Sequence, residues 1–313
     1  MTLIVNLNSL DHIYDYLSIG VDHFIVGAEV FSLRQAKSFS YEEIGQLKQS
    51  DSQIKVFVLV NALVEQHLLP ELKTHLKTLA KLQVDGILFQ DFGVLQISKN
   101  EHYPFLEFYM PDTLNTNDQT LAVLNHYGVD GAFLAREIPL SEKKLISDHL
   151  EMKTMVQIHG VEYMAYSKRK LLSNYKSFTH LEFNCDKSQD IQIQANGVDS
   201  RCHIYEDDYG THVLSCQQLC ALDVLNQFDS FDYLMIDGQY TEPTILLEIV
   251  NLYAQGIEFI SKGKYAKESI ELMHLLYRLT PGISYYHSFL FDSTVYKIDD
   301  VRKRENEGNK SNN

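Results

Sequence analysis

Charged and amide side chains stand just after short apolar runs along much of the chain. Guanidinium, amide and carboxylate groups can hold a small anion or a hydroxy acid through charge-assisted hydrogen bonds, and a histidine beside them could move a proton. If the fold brings these segments together, they predict a binding site for a small anion. The candidate positions are Arg34, Asn61, Asp91, Asp112, Thr116, Asn117, Arg136, Glu137, His159 and Asp237.

For three of these residues, a purely structural role is the alternative to ligand binding or catalysis. Arg136 and Glu137 are adjacent, so they could form an ion pair at the rim instead of binding a ligand. His159 ends an apolar run and could be a buried histidine that only completes a hydrogen bond, because the sequence shows no partner for a catalytic base. Both alternatives stay open at the level of sequence.

Protease and metal signatures are absent from the sequence. It contains no His-Glu-x-x-His, no Gly-x-Ser-x-Gly and no Cys-x-x-Cys. The four cysteines, Cys185, Cys202, Cys216 and Cys220, are too few for a disulfide scaffold and are expected to be free thiols in a reducing compartment. Cys216 and Cys220 are four residues apart and could share a helix face.

The elements that would position the candidate residues follow a repeated pattern. Helical stretches end at Gly-Val-Asp or a close equivalent, and a short apolar run follows at once. A glycine that ends a helix and leads into a buried strand is typical of the loops of a parallel α/β sheet. The apolar runs occupy residues 3–7, 23–26, 55–60, 87–89, 106–110, 131–134, 154–158 and 233–236.

These eight runs, separated by helical patterns, predict an α/β fold, a (β/α)8 TIM-like barrel whose strand ends share one mouth. Ser40 with Glu43 predicts a capping box, and Pro70 opens a helix with leucines at positions 72, 76 and 79. An open doubly wound sheet is the alternative, although Gly-x-Gly-x-x-Gly and the P-loop are absent.

The segment at about 160–228 breaks this rhythm. An alternating run over 190–194, the turn signal Asn196-Gly197 and a second run over 201–205 predict a small β insertion between strands seven and eight. We therefore expect one barrel domain over 1–299 that includes this insertion, followed by a disordered polar tail over 300–313.

Composition narrows the classes of function. With 313 residues, 45% of them hydrophobic, the chain can bury a large core. Forty-two acidic and 27 basic residues give a net charge of -15, which disfavours RNA binding by the chain alone. No apolar stretch approaches the roughly 20 residues of a membrane span, so we expect a cytoplasmic protein without membrane contact.

Several motifs resemble the peptidase U32 family, above all its short members that occur beside a longer paralogue. Residues 205–211 (YEDDYGT) are similar to the family's E-D-x-x-G-T, residues 215–220 to its N-S-x-D-L-C, and residues 235–239 (MIDGQ) to its K-I-E-G-R. The resemblance spans about residues 3–298 and implies a barrel-like domain. Glu206, in the first motif, joins the candidate ligand-binding residues.

The resemblance also implies an activity and a cofactor. Better understood members work in hydroxylation, notably the prephenate-dependent formation of 5-hydroxyuridine at the wobble position of tRNA, and the family carries a collagenase-like peptidase label. Hydroxylation members hold an iron–sulfur cluster on four cysteines. Here Tyr163 and Lys170 stand at two of those positions, while Cys185 and Cys220 match the others. No metal or cofactor is therefore expected in this chain, and the cluster and prephenate belong to a complex with a partner.

Two further substitutions affect charge. Met235 and Gln239 replace the lysine and arginine of K-I-E-G-R, which removes two cations. These losses predict an accessory or non-catalytic subunit of tRNA wobble uridine 5-hydroxylation that works with a longer, cluster-bearing U32 paralogue and contacts tRNA only through that complex. Cys202 or Cys216 could still replace the missing ligands. The alternatives are a collagenase-like peptidase and a barrel that binds a small molecule without catalysis, and a small carboxylate is the ligand that the candidate residues suggest.

Overall fold

The computed structural model describes residues 1–111, 115–194 and 201–292, which form a parallel barrel carrying a smaller antiparallel sheet. The strands are β1 (Thr2–Asn6), β2 (His23–Ala28), β3 (Ser38–Phe39), β4 (Lys55–Val60), β5 (Gly86–Phe89), β6 (Leu106–Tyr109), β7 (Gly131–Phe133), β8 (Lys153–Gly160), β9 (Tyr163–Ser167), β10 (Gln192–Gln194), β11 (Arg201–Asp207), β12 (Gly210–Leu214), β13 (Gln218–Cys220), β14 (Tyr233–Asp237) and β15 (Tyr285–Tyr286). The helices are α1 (Ile13–Ser18), α2 (Tyr41–Ser50), α3 (Leu69–Lys81), α4 (Phe92–Glu101), α5 (Asp118–His126), α6 (Leu140–Asp148), α7 (Leu171–Thr179), α8 (Pro243–Ser261) and α9 (Tyr265–Leu279).

Eight of these strands close into the barrel. Their order is β1, β2, β4, β5, β6, β7, β8 and β14, and β14 pairs in parallel with both β8 and β1. All eight coincide with the apolar runs of the sequence, so the predicted (β/α)8 barrel is confirmed and the open sheet is not. The short strand β3, beside β2, has no counterpart in the predicted pattern.

Aromatic rings fill the interior of the barrel. Phe57 packs against Phe108 with ring centroids 5.6 Å apart, and against Tyr233 at 6.0 Å. Glycines on neighbouring strands leave room for these rings: a Cβ on Gly131 would lie 2.2 Å from Phe108, and one on Gly86 would lie 2.5 Å from Phe57. The barrel interior is thus a packed core rather than a pore.

Aspartates of the repeated Gly-Val-Asp pattern join neighbouring strands at the N-terminal end of the barrel. Asp85 Oδ2 accepts a hydrogen bond from an amide of β4 at 2.9 Å, Asp130 Oδ2 from an amide of β6 at 2.8 Å, and Asp232 Oδ2 from an amide of β8 at 2.9 Å. Each carboxylate ties the start of its own strand to the start of the preceding one. These aspartates are structural and lie at the opposite end from the mouth.

The helices also follow the sequence signals. Ser40 accepts a hydrogen bond from the amide of Glu43 at 3.2 Å, and the Glu43 carboxylate accepts one from the amide of Ser40 at 2.8 Å, which confirms the capping box of α2. Helix α3 buries Leu72, Leu76 and Leu79 against the barrel. Within the described ranges, no helix is both long enough and apolar enough to cross a membrane.

The predicted β insertion is present between β8 and β14. It contains helix α7 and an antiparallel sheet in the order β10, β11, β12 and β9. Strands β10 and β11 pair as the hairpin signal predicts, although Asn196-Gly197 itself lies outside the described residues. Strand β13 returns to the barrel and pairs with β8. The tail at 300–313 also lies outside the described residues.

Two cysteines differ from the sequence expectation. Cys202 and Cys216 form a disulfide rather than free thiols, because the antiparallel pairing of β11 with β12 brings the two ends of this hairpin together. Cys185 and Cys220 are free. Cys216 and Cys220 do not share a helix face, since Cys220 belongs to strand β13.

Candidate functional site

A cavity of about 70 Å³ lies at the C-terminal mouth of the barrel. This volume accommodates several water molecules, and its mixture of apolar walls with a few cationic and amide groups suits a small anion. Four of the predicted residues line this cavity: Arg34, Asn61, Arg136 and Asp237. The polar residues around the cavity are Asn6, Arg34, Asn61, Arg136, Gln157, Tyr163, Asp237 and Gln239.

Arg34 reaches the cavity from the loop after β2, which is pinned by two side chains. Ser32 Oγ donates to the Leu59 carbonyl at 2.6 Å. Asn61 Oδ1 accepts from the Leu33 amide at 2.7 Å, and Asn61 Nδ2 donates to the Leu33 carbonyl at 3.2 Å. Arg34 itself has a φ of 54° and is 8% exposed. Asn61 thus holds the backbone that presents the arginine, besides lining the cavity.

Arg136 enters from the loop after β7. Its guanidinium carbon lies 5.3 Å from the centroid of the Tyr163 ring, and its Nη1 lies 3.0 Å from the sulfur of Met164. Its Nε is buried without a hydrogen-bond partner. Lys143 Nζ donates to the Arg136 carbonyl at 3.3 Å and so supports the loop. Across the described part of the chain, Arg136 and Glu137 form no ion pair, so the predicted structural alternative is not observed.

A carboxyl group lies opposite these cations. Asp237 accepts from Asn6 Nδ2 at 3.1 Å and from the Gln239 amide at 2.7 Å, and burial raises its pKa.

Lys187, in the insertion, donates from Nζ to the Gln35 carbonyl at 2.6 Å and to Gln239 Oε1 at 2.8 Å. Burial lowers the pKa of Lys187 to about 8. This lysine follows no predicted strand, so no sequence signal places it beside the mouth.

His159 does not reach the cavity. It is fully buried, its Nδ1 lies 3.2 Å from the Tyr253 hydroxyl, and burial lowers its pKa to about 3. Strict alternation along β8 would turn His159 inward after Met155 and Gln157, but the pairing of β8 with β14 is irregular just before it. That irregularity turns the ring towards the outer helices. The structural interpretation of His159 is therefore the one observed.

Other predicted residues serve as helix caps. Asp91 accepts from the amide of Gly93 at 2.7 Å at the start of α4, and Asn117 accepts from the amide of Thr120 at 2.8 Å at the start of α5. Thr116 is exposed beside Asn117. Asp112 lies outside the described residues. None of the described members of this group lines the cavity, and a ligand-binding role for them stays a prediction.

Glu206 also has a structural position. Its buried carboxylate accepts hydrogen bonds from the amides of Leu172 at 3.0 Å and Ser173 at 3.2 Å, and so caps α7. In the same motif, Gly210 has a φ of 141°, and a Cβ there would lie 2.2 Å from the Ser167 carbonyl oxygen. The E-D-x-x-G-T-like motif therefore locks α7 and β9 to the β11–β12 hairpin rather than contributing to the cavity.

The chain matches the model of peptidase family U32 over residues 8–297. It belongs to this family. The U32 chain is 26% identical over 304 residues to tRNA hydroxylation protein P2 of Bacillus subtilis (strain 168), covering 94% of this chain and 98% of that protein. It is 24% identical over 252 residues to tRNA hydroxylation protein P1 of the same organism, covering 76% and 58%. It is 28% identical over 162 residues to tRNA hydroxylation protein P of Escherichia coli (strain K12), covering 50% and 35%.

The donor set of this U32 chain does not fit an iron–sulfur cluster. Tyr163 packs against guanidinium groups, and Lys170 Nζ lies 3.8 Å from Asp208. Cys220 is buried beside α8, where the Tyr253 hydroxyl donates to its sulfur at 3.7 Å, and burial raises its pKa to about 11. Cys202 is bonded to Cys216 in a disulfide, so neither residue offers a thiolate. Within the described ranges there is no group of three or more His, Cys, Asp or Glu side chains that could hold a metal.

Proposed function

We propose that this U32 chain is an accessory subunit of tRNA wobble uridine 5-hydroxylation. It acts in the cytoplasm with a longer U32 paralogue that holds the iron–sulfur cluster. The chain is similar along almost its whole length to a protein named tRNA hydroxylation protein P2, which supports a role in tRNA hydroxylation. Partial similarity to the proteins named P1 and P supports a relationship with longer chains of the same kind.

One observation carries the accessory role. Tyr163 stands where the family resemblance implies a cysteine ligand, and its ring instead packs against Arg34 and Arg136. The ring holds the two guanidinium groups at the mouth, where they can bind an anion. A tyrosine at this position cannot supply a thiolate to iron. The same residue thus explains both the loss of a cluster ligand and the retention of a charged cavity.

The cavity is proposed to bind a small carboxylate such as prephenate. Arg34 and Arg136 would donate charge-assisted hydrogen bonds to it, and Asp237 with Gln239 would orient its polar groups. A peptidase would need an identifiable nucleophile or a metal here. The side chains that line the described cavity include no serine, threonine, cysteine or histidine, which favours binding over peptide hydrolysis.

Contact with tRNA is assigned to the complex rather than to this subunit. A net charge of -15 opposes the neutralisation of phosphates on which RNA affinity depends. The longer paralogue would therefore supply the RNA surface as well as the cluster. The accessory chain contributes the small-carboxylate site and the contacts that hold the complex together.

The proposal is tested by deleting the gene and measuring 5-hydroxyuridine in tRNA by mass spectrometry. We expect the nucleoside to fall, and to recover with the wild-type gene. The purified chain should hydroxylate tRNA only when its longer paralogue is added. Unchanged 5-hydroxyuridine in the deletion strain contradicts the proposal. Hydrolysis of collagen-like peptides that survives removal of contaminating proteases would favour the peptidase alternative.

A further inference from the structure

Helix α7 exposes a continuous apolar face. Leu171 is 45% exposed, Tyr175 54% and Phe178 85%. These residues are spaced at i, i+4 and i+7, so they lie side by side along one face of the helix. Single exposed apolar residues are common on protein surfaces, but an aligned row that ends in an almost fully exposed phenylalanine is typical of an interaction site. We call Leu171, Tyr175 and Phe178 the α7 stripe.

The opposite side of α7 is held firmly to the insertion. Leu172 is buried, and Glu206 caps the first turn through two backbone amides. Near the C-terminal end, Lys176 Nζ donates to the carbonyl of Phe183 at 3.1 Å. The helix is therefore fixed in place mainly by residues outside the stripe, and the backbone amide of Leu171 adds a hydrogen bond to Thr211 Oγ1 at 2.9 Å. Folding of the insertion does not require apolar residues on the outer face.

The segment that carries the stripe is richer in cations than the chain as a whole. Residues 168–180 contain the cations Lys168, Arg169, Lys170 and Lys176 and no acidic residue, whereas the chain as a whole carries a net charge of -15. Three of these cations already pair with carboxylates of this chain, which leaves Arg169, among the described residues, as the cation that a carboxylate of a partner would complement. Apolar area with Arg169 beside it thus fits an apolar patch bordered by carboxylates.

We propose that the α7 stripe and Arg169 form the docking surface for a protein partner that presents an apolar patch bordered by carboxylates. The inference rests on the proposed function, under which this partner is the longer U32 paralogue. Tyr175 and Phe178 act as the anchors of the interface, because aromatic side chains dominate the binding energy at such sites. Arg169 makes no ion pair among the described residues and is available to a carboxylate of the partner.

The same surface fits RNA less well. Three of the four cations already have carboxylate partners, since Lys168 pairs with Glu65, Lys170 lies 3.8 Å from Asp208, and Lys176 lies 3.0 Å from Glu182. Binding to phosphates would have to replace these pairs. An aliphatic residue, Leu171, also lies in the stripe, and it offers no face for base stacking. The observations therefore favour a protein.

Binding to the purified longer paralogue tests the inference. We expect the double variant Tyr175→Ser/Phe178→Ser to weaken association about 30-fold or more, the loss typical of removing an interface anchor. The matched control is Ile270→Ser on α9, which removes an apolar side chain that is 62% exposed and should leave the affinity unchanged. Arg169→Glu should slow association and reduce its dependence on salt. Unaltered melting temperatures show that the variants fold.

Complementation of the deletion strain separates this inference from the proposed function. If the deletion lowers 5-hydroxyuridine and the double variant restores it as fully as Ile270→Ser does, the docking surface is wrong while the function stands. If the deletion has no effect, the function itself fails. A variant that loses tRNA affinity in the isolated chain, or that dissolves a self-associated dimer, while binding the paralogue normally, overturns the inference in favour of RNA or a second copy.

Discussion

The guanidinium carbon of Arg34 lies 4.7 Å from the centroid of the Tyr163 ring. Arg34 belongs to the loop after β2 of the barrel and Tyr163 to the first strand of the insertion, so this contact joins the two parts of the molecule at the mouth. A cation over an aromatic ring in a partly desolvated site contributes about 0.5 to 2 kcal/mol. A cysteine at the same position could not support the arginine in this way.

Replacing Arg136 with alanine should weaken carboxylate binding at the mouth. Each charge-assisted hydrogen bond contributes about 1.5 to 3 kcal/mol, so the dissociation constant should rise roughly 10-fold to 150-fold. Thermal-shift titration with prephenate, and with succinate as a simpler dicarboxylate, measures the change. Arg278→Ala on α9, where the side chain is 70% exposed, is the matched control and should have no effect. Equal stabilisation of wild type and Arg136→Ala would make Arg136 purely structural.

The isolated chain, purified without oxygen, should contain neither stoichiometric iron nor labile sulfide. Tyr163 and Lys170 provide no thiolate, and Cys220 is buried with its sulfur accepting a hydrogen bond from the Tyr253 hydroxyl at 3.7 Å. Iron analysis and visible absorbance are the measurements, with the longer paralogue prepared in parallel as the positive control. A full cluster in the isolated chain would overturn this prediction and would direct attention to Cys185 together with reduced Cys202 and Cys216.

The barrel could be predicted from the sequence because its signals are local. A helix end, a turn and an apolar run follow one another at β2, β5 and β7, every barrel strand is a short apolar run, and no distant contact is needed to reveal these signals. The capping box of α2 is equally local, since Ser40 and Glu43 are three residues apart. The C-terminal ends of β2, β4, β7 and β14 and the loops after them meet at one mouth, which is why Arg34, Asn61, Arg136 and Asp237 were predictable as a group.

Residues whose role depends on distant contacts could not be placed in this way. His159 turns outward because the pairing of β8 with β14 is irregular, and alternation within one strand does not reveal that. Glu206 accepts a hydrogen bond from Leu172, which lies 34 residues earlier in the first turn of α7. Lys187 reaches the mouth only because the insertion folds back over it, to touch residues on two different loops. Each case depends on how the insertion packs against the barrel.

Replacing Glu206 with alanine should destabilise the insertion. The buried carboxylate accepts from the amides of Leu172 and Ser173, and its loss leaves the buried Leu172 donor without a partner and removes the partner of Ser173, at a cost of about 1 to 3 kcal/mol. Urea unfolding measures the loss, and hydrogen exchange at the two amides should accelerate. Glu242 caps α8 from an exposed position, so Glu242→Ala should cost less. If both variants lose the same stability, burial of the Glu206 cap has no special importance.

Stability should fall in acid partly because of His159. Burial lowers the pKa of this histidine from 6.5 to about 3 in the folded protein. Between these values the unfolded chain binds a proton at His159 that the folded chain does not, so the free energy of unfolding decreases as pH falls below about 6.5. The decrease attributable to this residue is about 1.4 kcal/mol per pH unit.

His159→Phe removes this titration while keeping a ring of similar size beside Tyr253. Urea unfolding at several pH values between about 6 and 4 measures the free energy of unfolding of each protein. As the pH falls, this free energy should decrease less steeply for the variant than for wild type, and the difference in slope should correspond to about one bound proton, whatever the stability of the variant at neutral pH. Buried carboxylates and His75 contribute to the remaining slope in both proteins and cancel in the comparison. His274→Phe on α9, where the side chain is 66% exposed, should leave the slope unchanged. Parallel declines for wild type and His159→Phe would mean that His159 becomes protonated in the folded state, so the protein would have to open around β8 in acid before it unfolds.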